Sequence, residues 1–174
     1  MKLSVKEMCL FSVFGAVMYA SKLVMSFIPN VHLIGVFVVS LTVIYRKKAL
    51  YPIYIYVFLC GFFSGFGVWW IAQLYIWLIL WGSILLIPKK IPDKTKTVIY
   101  MILCSLHGFL YGFLYLPVQA VFFNFDLNKI LSWYLAGIPW DITHGVSNFL
   151  CSVLIVPIIM IIRRGESNGK KIWY

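Results

Sequence analysis

Six apolar runs, separated by short breaks that alternate between basic and without net charge, decide which solvent this 174-residue chain can fold in. A helix needs about 20 apolar residues to cross the roughly 30 Å hydrocarbon layer of a bilayer. The runs lie at about residues 8–27, 31–45, 49–68, 71–87, 98–121 and 139–162, the second being the shortest. With 63% hydrophobic and 11% charged residues and a mean hydropathy of +0.95, the chain lacks the polar side chains to cover a water-facing surface. The sequence therefore predicts an all-α protein with one domain, residues 1–174: an integral membrane bundle of six transmembrane helices, multi-pass in the cytoplasmic membrane.

The breaks set the orientation. They are Pro29-Asn30, Arg46-Lys47-Lys48, Gly65-Phe66-Gly67, the stretch from Pro88 to Thr97, and the stretch from Asn124 to Lys129. A cytoplasmic N-terminus puts Lys2, Lys6, Arg46, Lys47, Lys48, Lys89, Lys90, Lys94, Lys96, Arg163, Arg164, Lys170 and Lys171 inside, leaving Lys22 and Lys129 as exceptions. The positive-inside rule thus predicts both termini in the cytoplasm. Trp69, Trp70, Trp133 and Trp140 then fall near the outer interface, as an aromatic belt would place them. The first run is longer than a signal peptide's and no A-x-A pattern closes it, so it is expected to remain.

The net charge of +10 suggests nucleic acid in a soluble protein, but these basic residues sit in short clusters between apolar runs, and no nucleic acid is expected. Cys9, Cys60, Cys104 and Cys151 lie inside apolar runs without paired spacing, which supports neither a disulfide framework nor a zinc ribbon. No G-x-S-x-G elbow, H-E-x-x-H site or G-x-x-x-x-G-K-[ST] loop is present. The chain reads as a non-enzyme without cofactor. His32, His107 and His144 stand singly in three segments, a pattern read more readily as hydrogen-bonded structural histidines than as a metal site.

Two patterns carry more information. In the first run Ser12, Ala16 and Ala20 recur every four residues beside Gly15, a smooth stripe on which another helix backbone can lie closely; Ser105, Gly108 and Gly112 form a second stripe, read as internal packing. The last run opens Gly137-Ile138-Pro139-Trp140-Asp141, with Pro139 suited to a first helical position and Asp141 to the positive end of the helix dipole. His144 and Asn148 follow Asp141 at three and seven residues, on one helical face. That stripe descends roughly 10 Å at 1.5 Å per residue, and each polar group on it needs a partner. His107, Tyr111, Tyr115, Gln119, Gln73, Tyr75, Asn30 and His32 gather in the same outer half, whereas the inner half of each run is almost purely apolar. The pattern describes a cup open to the outside and argues against a polar pore. Its mix of aromatic rings and few hydrogen-bonding groups suits a small, flat, partly polar molecule. Lys22 is placed to pair with Asp141, to meet an anionic ligand group, or to snorkel to the interface.

On three features the whole chain resembles the substrate-binding S components of energy-coupling factor transporters, a family of micronutrient importers. Ala16-x-x-x-Ala20 is similar to the small-residue motif with which that family docks on its transmembrane coupling subunit. The loop from Asn30 to His32 falls where the family has its substrate-gating first loop. Pro139-Trp140-Asp141, with His144 and Asn148 below, resembles the polar opening of the family's last helix. The resemblance implies capture of a small, heteroaromatic ligand from outside and toppling of the whole protein to present it to the cytoplasm. It also implies a coupling subunit and two partner ABC ATPases that hydrolyse the ATP. The expected ligand residues are Asp141, His144, Asn148, His107, Trp69, Trp140, Gln73, Asn30 and His32, and the expected docking residues Ser12, Ala16 and Ala20. A structural scaffold of the cell envelope is the alternative from another class, and it would tolerate alanine at both Asp141 and His144. An intramembrane enzyme with Asp141 and His144 as an acid–base pair lacks a nucleophile or metal to complete it.

Overall fold

A computed structural model of the chain describes residues 3–88 and 90–166; Lys2, Lys89, Lys170 and Lys171 lie outside that range. Among the described residues the chain is all-helical. Helix α1 (Val5–Val24) starts at a capping box, in which the Ser4 hydroxyl accepts the Glu7 N–H and the Glu7 carboxylate accepts the Ser4 N–H. Helix α2 (Ile34–Tyr45) is apolar all round, and its residues from Ile34 to Val36 and Val38 to Thr42 are buried. Such a helix belongs at the centre of the molecule. It packs chiefly on α4 (Val68–Leu85) and α8 (Ile155–Glu166), while α3 (Leu50–Ser64) lies against α1.

Between α2 and α3 the chain turns at Arg46, whose φ of 53° is in the left-handed region, and a short 3-10 turn, Arg46–Ala49, follows. The Arg46 guanidinium donates to the Leu85 carbonyl at 3.0 Å and its own carbonyl accepts from the Trp81 indole at 3.1 Å. These two bonds clamp the turn to the end of α4. The Lys48 ammonium pairs with Glu7, tying the same turn to the start of α1.

The remaining helices are interrupted. Helices α5 (Asp93–Phe109) and α6 (Tyr111–Phe122) are joined through Leu110 alone, and α7 (Leu127–Cys151) passes through a 3-10 turn at Ser152–Leu154 into α8. Among the described residues four stretches are long and apolar enough to cross a membrane: Val5–Val24, Val68–Leu85, Asp93–Phe122 and Leu127–Gly165. Large apolar side chains such as Phe62, Phe63 and Leu131 point outward, as a lipid-facing surface requires. The molecule thus has the make-up of a multi-pass membrane protein.

The last run is longer than hydropathy indicates. A helix beginning at Pro139 is corrected to one beginning at Leu127, with the Asp126 carboxylate accepting the Lys129 N–H at 2.8 Å as its N-cap. Asn128, Lys129 and Ser132 dilute the apolar signal of those first turns. Pro139 is therefore inside a helix, a position tolerated where neighbouring helices surround it, and Asp141 lies well past the first turn, out of reach of the helix dipole. Likewise the run expected at 98–121 starts at Asp93, where a Lys96–Asp93 pair at 3.1 Å joins the added turn.

In lipid the hydrophobic effect does not hold helices together, so close backbone approach and interhelical hydrogen bonds must. The Ser105 stripe serves that purpose. The Ser105 hydroxyl donates to the Gly145 carbonyl of α7 at 2.9 Å, and a Cβ on Gly108 would stand only 2.8 Å from the Gly145 Cα. Helix α1 has two distinct sides: Gly15 is buried against Ile55 and Pro52 of α3, whereas Ser12, Ala16 and Ala20 are exposed.

Candidate functional site

The segment between α1 and α2, residues 25–33, folds over one end of the bundle. It turns through the Ile28 N–H to Met25 carbonyl bond at 3.1 Å and the Val31 N–H to Ile28 carbonyl bond at 3.3 Å, then reverses at Asn30 with a φ of 58°. Asparagine adopts that left-handed conformation more readily than most residues. Two bonds fasten Asn30 to α7. Its carbonyl accepts the Ser147 hydroxyl at 3.0 Å, and its side-chain amide donates to the Trp140 carbonyl at 3.5 Å.

Beneath this loop is a cavity of about 280 Å³. Its wall is a set of rings in mutual contact: His32 against His144 with centroids 4.6 Å apart, Tyr111 against His144 at 4.7 Å, and Trp77 against Tyr111 at 6.0 Å and against both His32 and Tyr56 at 6.2 Å. Most of these pairs meet edge to face, the geometry that the ring quadrupole favours. Gln73 organises the polar part of the wall. Its amide oxygen accepts the Trp77 indole N–H at 2.6 Å, and its NH2 donates to the hydroxyls of Tyr111 at 2.7 Å and Tyr115 at 3.2 Å. Tyr115 passes its own proton to the Trp69 carbonyl at 2.7 Å. These bonds fix the orientations of the rings.

Three ring nitrogens are left over. His144, 1% exposed, has no partner for Nε2, His32 has none for Nδ1, and His107 has none for Nδ1. A buried polar atom without a partner costs about 1–3 kcal/mol, so these nitrogens are unusual features of the wall and its surroundings. Lys22 from the end of α1 also borders the cavity, its ammonium 3.5 Å from the Cys60 sulfur and 5.6 Å from the centre of the Trp69 ring.

Of the residues singled out in the sequence, Asn30, His32, Gln73 and His144 line this cavity. His107 stands behind the wall, its ring 5.3 Å from Trp77 and its Nε2 3.1 Å from the Ile76 carbonyl. Asp141 and Asn148 are buried on the same face of α7 but are engaged elsewhere: Asp141 accepts the Gly112 N–H at 2.9 Å, and the Asn148 amide donates to the Cys104 carbonyl at 3.2 Å. Each keeps one oxygen without a partner. Lys22 bonds to Cys60 and not to Asp141. Trp69 contributes its carbonyl and the ring under Lys22, and the Trp140 ring is exposed with only its carbonyl meeting the loop.

Tyr56 and Trp77 are wall residues that the sequence reading passed over. Trp77 follows Gln73 by four residues, a spacing that puts both on one helical face and was readable in advance. Tyr56 gave no such signal. Although three rings of the neighbourhood are histidines, no group of three or more His, Cys, Asp or Glu among the described residues is arranged to hold a metal ion. Compared with known proteins, the chain matches no family model, no curated protein and no solved structure.

Proposed function

We propose that this chain is the substrate-capture subunit of an energy-coupling factor importer in the cytoplasmic membrane, binding a small heteroaromatic ligand in the cavity beneath the 25–33 loop. The observation that carries the reading is the cavity itself: preorganised aromatic rings, unpartnered imidazole nitrogens and a loop latched across the top. The same reading takes the chain as six spans, formed by α1, α2, α3, α4, α5 with α6, and α7 with α8, with both termini in the cytoplasm. The cavity then opens to the outside. At the other end of the bundle the hydroxyls of Thr42 and Ser152 are spent on carbonyls of their own helix, at 2.6 and 2.5 Å, which offers a solute no polar path through this chain. Release to the cytoplasm thus needs a partner that moves the whole protein, and the exposed Ser12, Ala16 and Ala20 face of α1 is the surface for a coupling subunit with its two ATPases.

Native mass spectrometry of the purified protein tests the capture reading: a small molecule in 1:1 stoichiometry is expected, and repeated absence of any bound species counts against it. Co-purification tests the partner. Ala16→Trp and Ala20→Trp should abolish association with a coupling subunit while leaving ligand content unchanged, and an intact complex would remove the α1 face from the assignment.

A further inference from the structure

The charge of the cavity narrows what it can hold. Lys22 is the charged side chain on its wall, and no Asp or Glu borders it. Among the described residues no carboxylate lies within ion-pair distance of the Lys22 ammonium: Glu7 pairs with Lys48 and Asp93 with Lys96. A sulfur at 3.5 Å and the face of Trp69 are soft companions that leave most of the ammonium's hydrogen-bonding capacity unused. A cationic ligand entering this site would face an uncompensated positive charge; an anionic one would supply the missing partner.

The shape is equally restrictive. At about 280 Å³ the cavity is at the small end of the range for small-molecule sites, and its rings stand edge to face around the space. Such walls select a thin, flat solute. The unpartnered Nε2 of His144 and Nδ1 of His32 are sealed within the wall, so what the cavity presents to a solute is ring surface beside the Lys22 ammonium.

We infer that the occupant is a planar heteroaromatic monoanion of one or two rings, its anionic group held by Lys22 and its ring packed against Trp77 and Tyr111. This rests on the capture reading and adds to it the charge and shape of the ligand. The ammonium provides the charge-assisted bond, and Trp77 and Tyr111 the ring surfaces that exclude water from it.

The test uses full-length protein in lipid nanodiscs and isothermal titration with matched probes: benzoate, pyridine-3-carboxylate and indole-3-carboxylate, their uncharged carboxamides, and benzyltrimethylammonium. At least one heteroaromatic acid should bind about 10- to 100-fold more tightly than its amide, the range expected for a charge-assisted bond. Lys22→Met should erase that ratio, chiefly by weakening the acid, and Lys22→Arg should keep it. Lys22 is at a helix end, so both variants are expected to fold, and thermal unfolding in the same nanodiscs reports that they have. Tighter binding of an amide or of the ammonium probe, or an acid-to-amide ratio untouched by Lys22→Met, overturns the anion assignment and leaves the capture reading standing. Failure of every probe together with an empty native mass spectrum overturns both.

Discussion

The carboxylate of Asp141 accepts a hydrogen bond from the backbone N–H of Gly112 at 2.9 Å, joining the middle of α7 to the first turn of α6. The chain breaks at Leu110 between α5 and α6, and at the first turn of the new helix the Gly112 N–H is met by a side chain from another helix. Within a membrane an unpaired backbone N–H costs several kcal/mol, and Asp141 supplies the acceptor for this one. Asp141→Leu should therefore destabilise the protein by about 1–3 kcal/mol, and Asp141→Asn, which keeps an acceptor in place, by less than about 1 kcal/mol. Thermal unfolding in detergent micelles measures both; equal midpoints for Asp141→Leu and wild type would show that the bond holds nothing together.

Gly108 and Gly145 permit the close crossing of α5 and α7. A Cβ at position 108 would stand 2.8 Å from the Gly145 Cα and 2.9 Å from its nitrogen, both backbone atoms that cannot swing aside. Gly108→Ala should thus push the helices apart at a cost of about 1–3 kcal/mol, the range for overpacking. Gly82→Ala is the internal control. A Cβ there meets nothing within 4 Å, and alanine should raise stability by about 0.5–1 kcal/mol through helix propensity. The pair of unfolding midpoints should move in opposite directions.

What the sequence made legible follows from which signals are local. Hydropathy and charge act residue by residue, so the apolar runs and the small-residue stripes were visible, and Ser105 and Gly108 do pack on α7. Asn30, His32, Gln73 and His144 were picked out because polar groups in an apolar run are conspicuous, and they do meet at one cavity. Asp141 and Asn148 were equally conspicuous, yet their partners are a backbone N–H and a backbone carbonyl on other helices, which no side-chain pattern announces. The start of α7 was missed because Asp126 offers a capping signal that a hydropathy window averages away. Tyr56 was hidden in a run of aromatic and aliphatic residues, where only the packing decides which ring turns inward.

Gln73 is bonded to three cavity-wall rings or their supports at once, so its loss should reach the ligand more than the fold. Gln73→Leu keeps the volume but strands the Trp77 indole N–H and frees the Tyr111 and Tyr115 hydroxyls. Affinity for the co-purified molecule should fall about tenfold, in line with one or two lost polar bonds, while Tyr115→Phe, which removes the outer link to Trp69, should cost no more than about threefold. Titration calorimetry on both variants orders the effects, and a larger loss in Tyr115→Phe would contradict the hub assigned to Gln73.

The loop latch lends itself to a kinetic prediction. The Ser147 hydroxyl has one proton and two carbonyls within reach, Asn30 at 3.0 Å and His144 at 2.9 Å, so it couples the 25–33 loop to the helix turn that carries His144. Removing it in Ser147→Ala leaves the buried wall intact and loosens only the cover. The ligand's dissociation rate should rise about five- to tenfold with little change in association rate, and backbone amides of residues 28–32 should exchange with deuterium faster by a similar factor. Position 30 separates the latch from the turn. Asn30→Gly retains the left-handed φ of 58° and the carbonyl that Ser147 reaches, losing only the weak bond to Trp140, whereas Asn30→Ala also strains the backbone. Dissociation should accelerate in the order Asn30→Gly, then Asn30→Ala, and equal acceleration in the two, which both lose the bond to Trp140, would mean that this bond, and not the shape of the turn, keeps the loop closed.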